Sequence, residues 1–201
     1  MPAVAVFCAS SEDIDERYAV LAGEVGVALA RRGGTLVSGG GSVSCLGAVA
    51  RAARAGGART VGVIPRALVE LEVADHGADE LVVTEDMRER KGEMDRRADA
   101  FLTLPGGIGT LEELLEIWVA RSLRMHDKPV VVLDPWGDLQ PLAVLVSGLV
   151  SAGFVRDSAA AQLVWTTSVD DALAAIETGW AEAGVVGVAE PTAAEFLEAE
   201  P

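Results

Sequence analysis

The chain predicts an α/β fold: a doubly wound, mostly parallel sheet with helices on both faces, Rossmann-like, in a single domain. Three observations point to it. Short runs rich in Val, Ala and Leu alternate with helix-length segments along most of the 201 residues. The runs are continuously apolar rather than alternating, which marks strands buried on both faces. Single helix-length segments separate them, the spacing of right-handed parallel crossovers.

The elements follow in order. "AVAVFC" (Ala3 to Cys8) is a buried strand, and Ile14 to Arg32 is a helix that stops at Gly33-Gly34. "TLVSGGG" is a strand running into a glycine turn, followed by a helix from Val43 to Ala55 that ends at Gly56-Gly57. "TVGVIP" and "ELVVTE" are the third and fourth strands, the latter leading into a helix from about Asp86 to Ala98. "AFLTLP" precedes a helix from Gly109 to Arg124, and "PVVVLD" precedes one from Leu139 to Ala152. "QLVWTT" is the last strand and Val169 to Trp180 the last helix. Residues 1–180 therefore form the domain. Residues 181–201, ending in "AEPTAAEFLEAEP", read as an acidic, mobile tail.

Half of the chain is hydrophobic, enough for a sizeable core in one domain. No apolar run is long enough to cross a bilayer, and the N-terminus lacks the pattern of a secretory signal. Cys8 and Cys45 form neither a disulfide framework nor a Cys/His metal pattern, so a reducing, cytoplasmic setting is expected, with no metal. The net charge of −15 argues against nucleic acid as a partner, because a polyanion needs a basic footprint. A small anion remains possible, since a few amides and one arginine suffice to hold it.

In this fold, ligands lie beyond the carboxyl ends of the strands. Two glycine-rich segments fall there, and both open helices. "SGGGSVSCLG" (Ser38 to Gly47) is neither a Walker A loop nor a dinucleotide fingerprint, and a tight turn explains it on its own. "PGGIGT" (Pro105 to Thr110) is a second loop of the same kind. Together they suggest a phosphate-bearing ligand, with Gly106, Gly107, Gly109 and Thr110 offering amides and a hydroxyl. Thr110-x-x-Glu113 has the spacing of a capping box, which accounts for Glu113 without chemistry. Leu111, Leu114, Leu115 and Trp118 read as the buried stripe of that helix. In "EDMRERKGEMDRRADAF", Arg90 shares a face with Met87 and Met94, which look inward-packing. It is either a ligand-binding arginine or one whose head snorkels to water.

"MRERKGEM…DAFLTLPGGIGTLEELLE", with "FCASS", "GGGSVSCLG" and "MHDKP", closely resembles the Lonely Guy (LOG) family, from about Ala3 to Ile176. These are cytokinin riboside 5′-monophosphate phosphoribohydrolases. Members often carry the label "lysine decarboxylase", yet neither Lys91 nor Lys128 sits in a recognisable pyridoxal phosphate motif. The resemblance implies hydrolysis of the N-glycosidic bond of an N6-modified adenosine 5′-monophosphate, without a cofactor, by a homodimer. It implies catalytic roles for Arg90 and Glu113. It implies substrate contacts by Glu72, Lys91, Gly107, Ile108, Gly109, Thr110, Leu111 and Glu112. Ser44, Leu46, Val119, Arg121 and Arg124 depart from the family pattern, which bears on the preferred base. A broader AMP nucleosidase and a non-catalytic nucleotide-binding module are the alternatives.

Overall fold

Every residue of the first strand, β1 (Ala3–Phe7), serves one of two cores. Val4 and Val6 point into a layer with α1 (Glu16–Arg31), α2 (Ser44–Ala55) and α8 (Val169–Val185). Ala5 and Phe7 point into the opposite layer, with α4 (Met87–Arg97), α5 (Ile108–Ser122) and α6 (Gln140–Ser151). A strand buried on both faces carries apolar residues at every position, which is why these runs do not alternate.

The computed structural model describes residues 2–69 and 74–185. Glu72, and residues 186–201 of the expected tail, lie outside the described residues. The remaining strands are β2 (Thr35–Ser38), β3 (Thr60–Pro65), β4 (Glu80–Thr84), β5 (Ala100–Thr103), β6 (Val130–Leu133) and β7 (Leu163–Thr166). They form one sheet in the order β4-β3-β2-β1-β5-β6-β7, with every pair parallel. The register pairs Val4 with Leu36 on one side of β1 and Ala5 with Phe101 on the other. Strand order reverses between β1 and β5, so the loops leaving their carboxyl ends diverge and open a crevice.

Each strand and each long helix matches a predicted segment to within a few residues at each end. Two short helices, α3 (Arg66–Val69) and α7 (Asp157–Ala160), were not predicted. Four residues are too few to carry a helical period. α8 continues to Val185, past the predicted end at Trp180. Gly33 and Gly57 take φ values of 68° and 86° just past α1 and α2, the left-handed stop that glycine favours. α1 and α2 pack closely across Gly26, where an added methyl group would overlap the Val49 carbonyl oxygen.

His126, in the turn between α5 and β6, is buried against the Phe101 ring at 5.5 Å. Its Nε2–H donates to the Ile117 carbonyl at 3.1 Å, and its Nδ1 accepts from the Lys128 amide at 3.2 Å. Both bonds are met by the neutral ring. Burial pulls the imidazole below its ordinary value of 6.5, and Lys128 and Arg121 add to this against Asp95 and the Ile117 bond. The unfolded chain therefore takes up the proton first. The contribution to stability is complete above about pH 6.5 and is lost as the pH falls below it. The melting temperature is expected to fall on acidification from about pH 7 to 5, and His126→Gln to flatten part of that slope. Equal slopes in parent and variant would remove His126 as the cause.

Candidate active site

The crevice at the switch point holds a cavity of about 580 Å³. Its walls come from the β1–α1 loop (Cys8, Ala9, Ser10, Ser11), from Gly39 beyond β2, from Met87 and Arg90 on α4, and from the α5 entry. This is the ligand position that an open α/β sheet provides.

Arg90 lies on the inner face of α4, and its side chain is 9% exposed. A guanidinium this deep needs acceptors. Nε donates to the Val63 carbonyl at 3.1 Å and Nη2 to the Gly39 carbonyl at 3.2 Å. Nη1 stands 3.7 Å from Glu113 Oε1 and 3.9 Å from the Met87 sulfur. An added Cβ on Gly39 would overlap the guanidinium, so the glycine supplies the room Arg90 occupies. The snorkelling alternative therefore does not hold. Met94 is buried as expected, but Met87 is 43% exposed and forms pocket wall instead of core.

The capping-box reading of Thr110 and Glu113 is overturned by where α5 begins. Gly107 is the N-cap and has no side-chain cap bond, so Thr110 falls in the third helical position. The Thr110 side chain is buried over Gly106, where a Cβ would overlap it. A glycine-glycine entry lets the helix start three residues earlier than a Thr110 cap would allow. Glu113 is thereby one turn further in, 13% exposed, and faces Arg90. α1 and α4, by contrast, are capped: Asp15 accepts from the Arg17 amide at 2.9 Å and Asp86 from the Glu89 amide at 2.8 Å. The uncapped first turn of α5 lines the cavity with Gly106, Gly107, Ile108, Gly109 and Thr110. Nothing lies within 4 Å of where a Cβ would sit on Gly107 or Gly109, so their backbone is open to close approach.

The first glycine loop divides differently. Only Gly39 and Leu46 of Ser38–Gly47 line the cavity. Gly40 takes φ 76° and packs on β3, where a Cβ would lie 3.0 Å from Ile64 Cβ. Gly41 bridges Ala74, and Ser44 Oγ donates to the Ser11 carbonyl at 2.5 Å. This loop is mainly the tight turn that explains it without a ligand.

Of the residues expected to touch substrate, Glu112 lines the cavity, whereas Leu111 packs partly buried against the core. Lys91 does not line the cavity; its Nζ meets Glu112 at 2.5 Å and Glu116 at 2.7 Å. Leu115, expected in the buried stripe, is 39% exposed, and Ile117 takes its place in the core. Lys128, the second lysine, is held by Asp95 at 2.7 Å away from the cavity. Of the departures from the family pattern, Leu46 reaches the cavity, and Val119 is half exposed and outside it.

Several cavity residues escaped the sequence reading. Ser10 and Ser11 lay in the strand-end segment "CASSED" without an assigned role. Tyr18, Leu68, Asp138 and Leu139 carry no local signal, because topology alone brings α1, α3 and the β6–α6 loop to the crevice. Asp134 shapes that last loop by accepting from the amides of Asp138 and Leu139 at 2.9 and 2.8 Å. Beside it the Arg17 guanidinium sits 4.8 Å from the Tyr18 ring and 4.7 Å from the Trp136 ring. Cys8 lines the cavity as a protonated thiol: burial above all, then Cys45 and Glu113, push it well above its ordinary value.

A family model described as "Possible lysine decarboxylase" matches residues 46–176. A cytokinin riboside 5′-monophosphate phosphoribohydrolase of Mycobacterium marinum is 55% identical over 176 residues, covering 88% of this chain and 94% of the relative. The protein of the same name from Mycobacterium tuberculosis is 54% identical over 172 residues, covering 86% and 91%. Among solved structures, the molybdenum cofactor carrier protein of Chlamydomonas reinhardtii superposes with a TM-score of 0.66 at 23% identity, over 90% of this chain and 98% of that one, a likeness of fold. The decarboxylase wording finds no support in the site, since neither lysine lines the cavity. By the family model and by relatives more than half identical along nearly their whole length, the chain belongs to the Lonely Guy family of cytokinin riboside 5′-monophosphate phosphoribohydrolases.

Proposed function

We propose that this chain hydrolyses the N-glycosidic bond of N6-modified adenosine 5′-monophosphates to the free base and ribose 5-phosphate. The observation that carries the reading is one cavity in which an arginine–carboxylate pair faces an uncapped, glycine-rich helix entry. The two halves match the two demands of the reaction. The first-turn amides of α5 take the 5′-phosphate, where the helix dipole favours an anion. Breaking the bond from the anomeric carbon to the base nitrogen builds positive charge on the ribose, as in glycoside hydrolysis. The Glu113 carboxylate stabilises that charge and orients the attacking water. Arg90, fixed by two carbonyls, keeps Nη1 toward the substrate and favours departure of the base.

The deciding experiment is free-base release over a panel of nucleotides. N6-isopentenyl-AMP is expected to turn over faster than AMP, and both far faster than their unphosphorylated nucleosides. Equal rates for nucleotide and nucleoside would remove the phosphate site. AMP as the best substrate would make this a broader nucleosidase, and binding without release would make it a nucleotide-binding module.

Glu113→Gln is the sharper test, because Glu113 lies a turn inside α5 and faces Arg90. The amide keeps the size of the side chain but loses the charge. Base release is expected to fall about 10²–10⁴-fold, with the nucleotide still bound. Turnover near the parent rate in the folded variant would sink the catalytic role.

The chain also acts as a homodimer in this reading. Leu115 and Val119 on α5 and Val144 and Leu145 on α6 leave large apolar side chains 39–63% exposed on one layer of the fold. A second copy would cover such a face, and Leu145→Glu is expected to convert the dimer to a monomer in sedimentation. An unchanged sedimentation coefficient would place any dimer contact elsewhere. The two free, buried cysteines suit a reducing compartment such as the cytoplasm.

A further inference from the structure

Lys91 follows Arg90 on α4, yet its ammonium leaves the cavity and crosses to α5. There it meets Glu112 at 2.5 Å and Glu116 at 2.7 Å, two carboxylates one helical turn apart. Glu113 lies between them in sequence and turns the other way, toward Arg90. Adjacent residues on each helix thus make two sets of cross-helix contacts, Arg90 with Glu113 and Lys91 with Glu112 and Glu116, and of these Lys91 and Glu116 lie outside the cavity.

Met94 of α4 packs with Leu114 and Ile117 of α5 in one buried cluster, and the contact is incomplete at one point. Behind Glu113 lies a hollow of about 10 Å³, bounded by Phe7, Lys91, Met94, Glu116 and Ile117. The Lys91 side chain is 20% exposed and its two carboxylate partners are about half exposed, so solvent screens a good part of each ion pair, and the clamp rests on one ammonium meeting both at once. Its proton is held more firmly than usual, by Glu112 first and Glu116 second.

We infer that Lys91 is a positioning residue: by clamping Glu112 and Glu116 it fixes α5 against α4, and so sets the approach of Glu113 to Arg90 and to the reacting sugar. This differs from a substrate-binding role and rests on the phosphoribohydrolase reading above. A lysine that holds substrate serves binding, whereas a clamp serves the alignment of the two reacting groups. Small misplacements of such groups are costly to the rate while leaving the phosphate contacts intact.

The test uses the full chain with AMP and N6-isopentenyl-AMP, reading kcat, KM and calorimetric AMP affinity for Lys91→Met, Lys91→Arg, Glu116→Gln and the double variant Lys91→Met/Glu116→Gln. Lys91→Met is expected to lower kcat on the order of 10- to 100-fold, with AMP affinity within about twofold of the parent. Lys91→Arg, which can still span both carboxylates, is expected to recover most of the rate. Glu116 lies outside the cavity, so Glu116→Gln reports the clamp even where Lys91→Met fails to fold. It should lower kcat in the same sense, and the double variant should be no worse than Lys91→Met alone. A raised KM and weakened AMP binding with kcat unchanged would overturn the clamp in favour of substrate contact. Unchanged kinetics in Glu116→Gln would overturn it as well. A parent that releases no base overturns the enzymatic reading and this inference together, whereas an active parent with indifferent variants overturns the clamp alone.

Discussion

The structure turns on the burial of one guanidinium. An ionised group in the interior is tolerated only when its hydrogen bonds are met, and removing one partner of a buried pair costs roughly 3–5 kcal/mol. That is a large part of the roughly 5–15 kcal/mol that holds a domain together. Arg90 meets the requirement with backbone from two neighbouring strands, Gly39 beyond β2 and Val63 in β3. Gly39 must then be glycine, because the guanidinium lies where its side chain would be. Gly40, packed against β3, sets the turn that aims the Gly39 carbonyl. The order β3-β2-β1-β5 places these carbonyls on one side of the switch point and the α5 entry on the other. Arg90 spans the gap to Glu113 because the sheet reverses there.

A second constraint is what α5 lacks. A helix entry normally meets its first amides with a side-chain cap. α1 and α4 have aspartate caps, whereas α2, α6 and α7, like α5, have no side-chain cap. The α5 entry has glycine instead and opens on the cavity. The structure forgoes a local stabilisation of about 1 kcal/mol there, and a bound anion is the partner that would complete the turn. Thr110, which could have capped, is instead buried against Gly106 and stiffens the loop.

Much of this was legible in the sequence. Continuous apolar runs such as "PVVVLD" can only be strands between two layers, so the parallel sheet followed directly. Arg90 on an apolar stripe and the glycine-rich helix entry at Pro105–Thr110 both border the cavity, whereas the first glycine loop is mainly a turn. What misled was register. One turn separates a capping box from a glutamate aimed inward, and the spacing of Thr110 and Glu113 fits both until the helix start is known. Periodicity also cannot tell which apolar residues face a cavity or an open surface, so Met87 and Leu115 were both read as core. Lys91 was assigned by its neighbour in sequence, whereas its partners lie on α5, about twenty positions away. Tyr18 and Asp138 reach the cavity through strand order, which no local pattern encodes.

A last problem is how a chain of net charge −15 attracts an anion at all. Over distances beyond a Debye length, about 8 Å at physiological ionic strength, the surface carboxylates are largely screened. Within that range the local arrangement decides. The α5 carboxylates close to the entry, Glu112, Glu113 and Glu116, are partly offset by two cations, Lys91 for Glu112 and Glu116 and Arg90 for Glu113, and Asp138 on the cavity wall faces Arg17. The dipole and first-turn amides of the entry add to that local offset. A single phosphate fits that field, because a few amides can engage it together. A polyanion does not, because its next phosphates would come within a Debye length of the acidic surface without a basic track to follow. In the proposed reading the same charge distribution disfavours nucleic acid and accommodates a mononucleotide, with Lys91 offsetting the carboxylates of α5 as well as setting the geometry of the pair beside it.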